Sequence, residues 1–170
     1  GSAQGIGRAI ALGFSREGAK LVVGDLKVDG AEAVAREIQG VGSVALALEA
    51  DVSSEASAMN LKEQALRRFG RVDILVNNAG IYPYSPTTQM TEEEWDKVLD
   101  TNLGGNFLCS RAVVPQMRSQ KGGRIISVAS GIALKGAKSG SHYAASKAGI
   151  IGFVKALARE LAPYGITVNA

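Results

Sequence analysis

Two side chains near the C-terminal end of the sequence could do proton chemistry together. In SGSHYAASKAG, Tyr143 and Lys147 stand four residues apart, so on a helix both would emerge on one face. A phenol, with an ordinary pKa of about 10, is a poor base at neutral pH, but an ammonium group within a few ångströms favours the phenolate. An ordinary surface pair has the same spacing. A second group opens the chain: GSAQGIGRAI places glycine at 1, 5 and 7 and follows it at once with helix-forming residues. Glycines there let a pyrophosphate approach without Cβ atoms in the way, and the free N–H groups of the following helix point at it. A flexible loop would use the same residues, and the spacing differs from the usual G-x-G-x-x-G.

Asp25 strengthens the anion reading. It falls at the end of the next strand-like run, 18 residues after Gly7, where a carboxylate can accept both hydrogen bonds of an adenosine ribose diol. A 2′-phosphate would meet like charge there, and Gln4 is neutral where a basic residue would help. NAD is therefore expected over NADP, with Lys27 as the opposing feature.

Taken together, Gly1-x-x-x-Gly5-Ile6-Gly7, Asp51-Val52, Asn77-Asn78-Ala79-Gly80, Asn102, Ser130 and Tyr143-x-x-x-Lys147 resemble the short-chain dehydrogenase/reductase family in order and spacing. Ser130 lies 13 residues before Tyr143, as the family requires, and the resemblance covers essentially the whole chain. It implies an oxidoreductase moving a hydride between NAD(H) and a small-molecule secondary alcohol or ketone. Tyr143 would be the general acid/base, Ser130 would polarise the reacting oxygen, and Lys147 would hold the nicotinamide ribose and depress the tyrosine pKa. Asn102 would anchor a water that extends the proton path. The resemblance places Gly1, Ser2, Gly5, Ile6 and Gly7 around the pyrophosphate, Asp25 on the ribose, Asp51 and Val52 at adenine, and Asn77, Ala79 and Gly80 along the inner edge of the site.

The family also implies dimers or tetramers, built from the helices of Asn102–Met117 and Tyr143–Leu161. A catalytically silent dinucleotide-binding protein of the same fold competes with the enzyme reading, but would need no Ser130/Tyr143/Lys147/Asn102 set. Steroids, sugars, polyols, 3-oxoacyl thioesters and aryl ketones stay open as substrates, with 3-oxoacyl carrier-protein reduction and sugar or secondary-alcohol oxidation foremost.

The segments that must position these residues alternate between helix and strand. After the glycine turn, Ile6, Ala9, Ile10, Gly13 and Phe14 space out as one helical face ended by Gly18. AKLVVGD reads as a buried strand; Ala31, Val34, Ala35 and Ile38 mark a second helix ending near Gly40; SVALALEAD is another strand. A third helix ends at Gly70, and VDILVNNAG is a strand breaking into a glycine turn. In TEEEW, Thr91 and Glu94 form a capping box, so a helix starts there, and helix is expected from Asn102 to about Met117. GRIISVAS is a strand, YAASKAGIIGFVKALAREL a long helix, and GITVNA a further strand. Runs such as Leu21–Val23, Ile74–Val76 and Ile125–Val128 are apolar on both faces, as in a parallel sheet covered by helices on each side. The fold class is α/β, a Rossmann-like doubly wound sheet in a single domain, 1–170.

The resembled family has a strand immediately before the glycine turn, central in the order 3-2-1-4-5-6-7, and a substrate-covering segment and last strand after ITVNA. Neither is among these residues, so the chain reads as an excerpt of a longer dehydrogenase with two strand edges left open. By itself it is expected to be marginally stable or unfolded, and inactive as given.

Several residues are passed over. His142 adjoins Tyr143, but a helix turns about 100° per residue, so its side chain should point elsewhere. Ser127 and Ser139 have the wrong spacing to Tyr143. Tyr82 and Tyr84 either contact substrate or merely pack.

Composition excludes more than it selects. Of the 170 residues 46% are hydrophobic and 21% charged, and the 19 basic and 16 acidic side chains are interspersed at net +3, with no basic run to track a nucleic acid. No apolar run reaches the 18 or so residues needed to span a membrane. Cys109 is alone, which excludes an internal disulfide and leans towards a reducing, cytoplasmic setting; with one cysteine and one histidine, no metal site is expected.

Overall fold

The computed structural model describes residues 1–170. Helices and strands alternate: α1 (Gly5–Arg16), β1 (Leu21–Asp25), α2 (Val28–Gly40), β2 (Ala45–Glu49), α3 (Glu55–Phe69), β3 (Ile74–Asn77), α4 (Glu92–Leu99), α5 (Gly105–Gln120), β4 (Gly123–Ser127), the short α6 (Ile132–Lys135), α7 (Ser141–Leu161) and β5 (Ile166–Asn169). All strand pairings are parallel, as apolar strands joined by helical crossovers require. This is the α/β, Rossmann-like architecture the segment pattern implies.

Local chemistry sets the element ends. Ser54 caps α3 by accepting from Ser57 N–H, and Gly70, at φ 78°, closes it in the left-handed region that only glycine enters without strain. Thr91 caps α4 as expected, its Oγ1 accepting from Glu94 N–H at 3.1 Å. The second half of the capping box does not form: the Glu94 carboxylate turns to His142 instead.

The strands form two sheets, β1-β2 and β3-β4-β5. β1 and β3 do not pair, so the two open edges expected from the sequence are present. A cleft of about 540 Å³ runs between them, lined by side chains such as Ile10, Phe14, Val22, Val76, Cys109 and Val113. On one side the core gathers Ala11, Val23, Ala31, Val34, Ala35, Ile38 and Ala45. On the other, Val113, Met117, Ile125, Ile150, Val154, Leu161, Ile166 and Val168 pack between α5, α7 and the three-stranded sheet. Ala58 of α3 joins the halves by packing on Cys109 and Ala112 of α5.

Two expectations shift. The inward face of α1 is Gly7, Ala11 and Ser15, not the Ile6–Phe14 stripe, and Ile6 is 64% exposed. A Cβ on Gly7 would collide with the Gly1 carbonyl and the Asn78 side chain. That close approach fixes which face turns inward, leaving Ile10 and Phe14 to the cleft. The helix expected from Asn102 is continuous with α4 through a π-helical turn, Asp100–Gly104. No helix is long and apolar enough to cross a membrane.

Ile38 and Ile150 are fully enclosed, one in each core. Replacing either by alanine is expected to lower the unfolding free energy in urea by about 2–5 kcal/mol. Ile6→Ala, on the exposed face, should change it by less than about 0.5 kcal/mol.

Candidate active site

The glycine turn sits over the C-terminal ends of β1 and β3. Ser2 N–H donates to Gly24 O at 3.2 Å, and Asn78 Nδ2 donates to Gly1 O at 2.6 Å, so the turn is tied to both strands. Gln4 supplies no side-chain cap to α1, whose first internal bond runs from Arg8 N–H to Gln4 O. The N–H groups of Gly5, Ile6 and Gly7 therefore have no hydrogen-bond partner in the protein. That is the cradle an anion needs.

Asp25 ends β1 beside this turn. Its Oδ2 accepts from Ala3 N–H at 2.9 Å and its Oδ1 from Lys27 N–H at 3.0 Å. Burial alone would raise its pKa, yet these backbone donors, together with the Gly1 ammonium 3.4 Å from Oδ2, outweigh that and hold the carboxyl below the usual range. Asp51 is exposed, and its Oδ1 accepts from the N–H and hydroxyl of Ser53, at 2.9 and 2.6 Å. Its neighbour Val52 packs where α5 begins, so that a Cβ on Gly105 would come within 2.7 Å of its side chain.

The reactive pair lies across the β3 turn. Lys147 Nζ is 5.6 Å from the centre of the Tyr143 ring, on the same face of α7. Lys147 is 4% exposed and donates to Val128 O at 2.7 Å. Burial pushes its pKa below the ordinary lysine value. Ser130 accepts from Ile132 N–H at 3.2 Å, which leaves its own hydroxyl proton available.

Gly1 approaches the other half at Ala79, and the next residue, Gly80, approaches Asn102 and Lys147. A Cβ on Gly1 would lie 2.6 Å from Ala79 Cα, and a Cβ on Gly80 would lie 3.2 Å from Asn102 Oδ1 and 3.6 Å from Lys147 Nζ. Only the width of Ala79-Gly80 separates the cradle from the lysine.

Asn102, at 0% exposure, occupies the π turn. Its Oδ1 accepts from Ile81 N–H at 2.8 Å; its Nδ2 donates to Ile81 O at 3.0 Å and to Ser146 Oγ at 3.1 Å. Ser146 in turn donates to the Tyr143 carbonyl at 2.8 Å.

The structure thus gathers Tyr143, Lys147, Asn102, Ala79, Gly80 and the glycine turn at one edge of the sheets. Asn77 lines the cleft, but its side chain is buried and donates to Ser110 Oγ at 3.2 Å. The neighbouring Asn78, passed over in the sequence, makes the bond to the glycine turn; only the doubled asparagine hinted at two separate tasks. Tyr82 stacks on Tyr143, with centroids 4.1 Å apart and planes 17° from parallel, and Tyr84 leans on Tyr82 from a position 74% exposed. Ser85 N–H donates to Ser139 O and the Thr87 and Ser141 hydroxyls lie 3.0 Å apart, so this loop is fastened to the approach of α7.

A family model described as short chain dehydrogenase matches residues 1–170. The 3-oxoacyl-[acyl-carrier-protein] reductase FabG of Staphylococcus epidermidis is 44% identical over 171 aligned residues, 100% of this chain and 70% of that protein. The 3-oxoacyl-[acyl-carrier-protein] reductase of Synechocystis is 43% identical and the FabG reductase of Thermotoga maritima 38%, each again matching all of this chain and 69% of the relative.

Lys147 gives a pH-dependent expectation. Its folded pKa lies below 10.5, so between the two values the unfolded chain binds more protons and stability rises with pH. The cost of burying the ammonium is fully present below the folded pKa and gone above 10.5. Urea unfolding of the protein and of Lys147→Met at a series of pH values should show the difference moving in favour of the lysine form as pH approaches 10.5.

Proposed function

Because the chain belongs to the short-chain dehydrogenase family, we propose that it reduces the ketone of a 3-oxoacyl thioester borne on an acyl carrier protein, using a nicotinamide dinucleotide. The names of its relatives support that substrate within the broader class of secondary alcohols and ketones. The observation that carries the reaction type is Lys147 Nζ standing 5.6 Å from the Tyr143 ring, next to a cradle of free N–H groups and an anionic Asp25.

When bound, the dinucleotide supplies the hydride. The N–H groups of Gly5, Ile6 and Gly7 would hold its pyrophosphate, with Gly1 and Ser2 completing the turn, and Asp25 would take the adenosine ribose. Asp51 and Val52 flank the adenine position, and Asn77, Ala79 and Gly80 form the inner wall. Lys147, whose Nζ lies close to Gly80, would hold the nicotinamide ribose. Ser130 donates its hydroxyl proton to the substrate carbonyl and polarises it. As the carbonyl carbon gains the hydride, Tyr143 gives its phenolic proton to the oxygen, so the product is the 3-hydroxyacyl thioester and the phenolate is left beside an ammonium. Asn102 keeps the Ile81 backbone and α7 in register around this centre. Phe107, exposed on α5 and edge-on to Phe153 of α7, offers those helices an apolar outer face for a second copy.

Tyr143→Phe in the full-length protein should retain dinucleotide binding, followed by nicotinamide fluorescence, while kcat for 3-oxoacyl thioester reduction falls about 10²–10⁴-fold. Unchanged turnover would overturn the assignment. Asp25 also sets a preference: kcat/KM should be higher with NADH than with NADPH, and Asp25→Ser should narrow the ratio. A clear NADPH preference in the unsubstituted protein would refute the ribose assignment.

A further inference from the structure

The residue immediately before Tyr143 is fully enclosed. His142 has 0% exposed surface and reaches neither solvent nor the cradle. Both of its ring nitrogens are engaged. Nδ1 accepts the backbone N–H of Tyr143 at 2.8 Å, and Nε2 faces Glu94 Oε1, on α4, at 3.2 Å. An Nδ1 that accepts cannot also carry the proton in the neutral ring, so the hydrogen-bond network assigns that proton to Nε2, from which it is donated to the carboxylate.

This arrangement answers a need of the helix. The first N–H groups of α7 have no intrahelical acceptor, and Gly140 at its N-cap offers no side chain to take them. The first bond within the helix comes from Ala144, to Gly140 O. Tyr143 N–H, one residue earlier, would be orphaned without the imidazole. The Tyr143 carbonyl is held from the other side by Ser146 Oγ, which Asn102 reaches. Both ends of the Tyr143 residue are therefore gripped by buried side chains, and both grips are backed by the single helical run of α4, the π turn and α5.

We infer that His142 and Glu94 are positioning residues for Tyr143: a carboxylate–imidazole–backbone relay from α4 that fixes where the phenol stands at the start of α7. The inference rests on the reading of Tyr143 as the acid/base. Glu94 suits the part because its own N–H is held by Thr91 Oγ1 at 3.1 Å, so its backbone is fixed by the helix cap while its carboxylate reaches out. The relay moves no proton to substrate; its imidazole is closed off from the site.

The test compares Glu94→Ala, Glu94→Gln and His142→Asn in the full-length protein. Gln keeps an acceptor for Nε2–H, whereas Asn keeps an acceptor for Tyr143 N–H and is too short to reach Glu94. Glu94→Ala and His142→Asn are expected to lower kcat about tenfold, with dinucleotide Kd and substrate KM within about twofold of the original, as a small misplacement of a reacting group does. Glu94→Gln should recover most of the loss. A folded Glu94→Ala with undiminished kcat overturns the inference, as does a loss spread equally over kcat and Kd that Gln fails to recover. If Glu94→Ala does not fold, an undiminished kcat in His142→Asn overturns it equally.

A second readout is independent of turnover. The ¹⁵N imidazole signal that disappears in His142→Asn should report a ring protonated at Nε2 and shift in Glu94→Ala; protonation at Nδ1 overturns the relay. Failure of the acid/base reading appears separately, as undiminished turnover in Tyr143→Phe.

Discussion

The candidate site hangs on one buried amide. Asn102 places all three of its polar contacts in protein, two on the backbone of Ile81 and one on Ser146, and is sealed from solvent. An amide left unpaired in such surroundings would cost about 1–3 kcal/mol for each lost partner, so the loop after β3 and the start of α7 are held in one mutual arrangement. The π turn makes this possible. Its wider backbone loop aims the side chain at position 102 across the gap between the two elements, a use to which π-helical insertions are often put.

Charge is distributed with the same economy of partners. Lys147 is enclosed with a single carbonyl as its hydrogen-bond acceptor, which holds it at a cost that an ordinary structural lysine would avoid by reaching water. Asp25 stands in the opposite condition, surrounded by backbone donors that stabilise its charge. One cation is kept hungry for a further partner and one anion is kept reliably ionised, at the two ends of the groove where a dinucleotide lies in the proposed reading.

What the sequence revealed depended on whether the cause was local. Ala31, Val34, Ala35 and Ile38 follow the helical period of α2 and are its four buried residues, because that helix lies flat on its own sheet. Gly70 and Thr91 end and begin helices through their own backbone and hydroxyl, so their roles could be read directly. The inward face of α1 could not, since it is set by the approach to Gly7 of the Gly1 carbonyl, which Asn78 holds from 77 residues away along the chain. The division of labour between Asn77 and Asn78 has the same origin: each follows the partner its strand position offers. Glu94 shows the limit most clearly. A local capping rule directs its carboxylate back to Thr91, but a buried imidazole donor from α7 competes for it and wins. The π turn has no periodic signature at all; five residues of DTNLG read as plain helix.

The cleft between β1 and β3 divides the described residues into two packed halves. Each half has its own apolar centre, and apart from polar ties such as the one from Asn78 to Gly1 they meet chiefly where Ala58 rests on Cys109 and Ala112. The Asp25 side and the Tyr143 side thus stand on separate apolar centres. A dinucleotide lying across both would do more than fill a site, because it would tie one centre to the other.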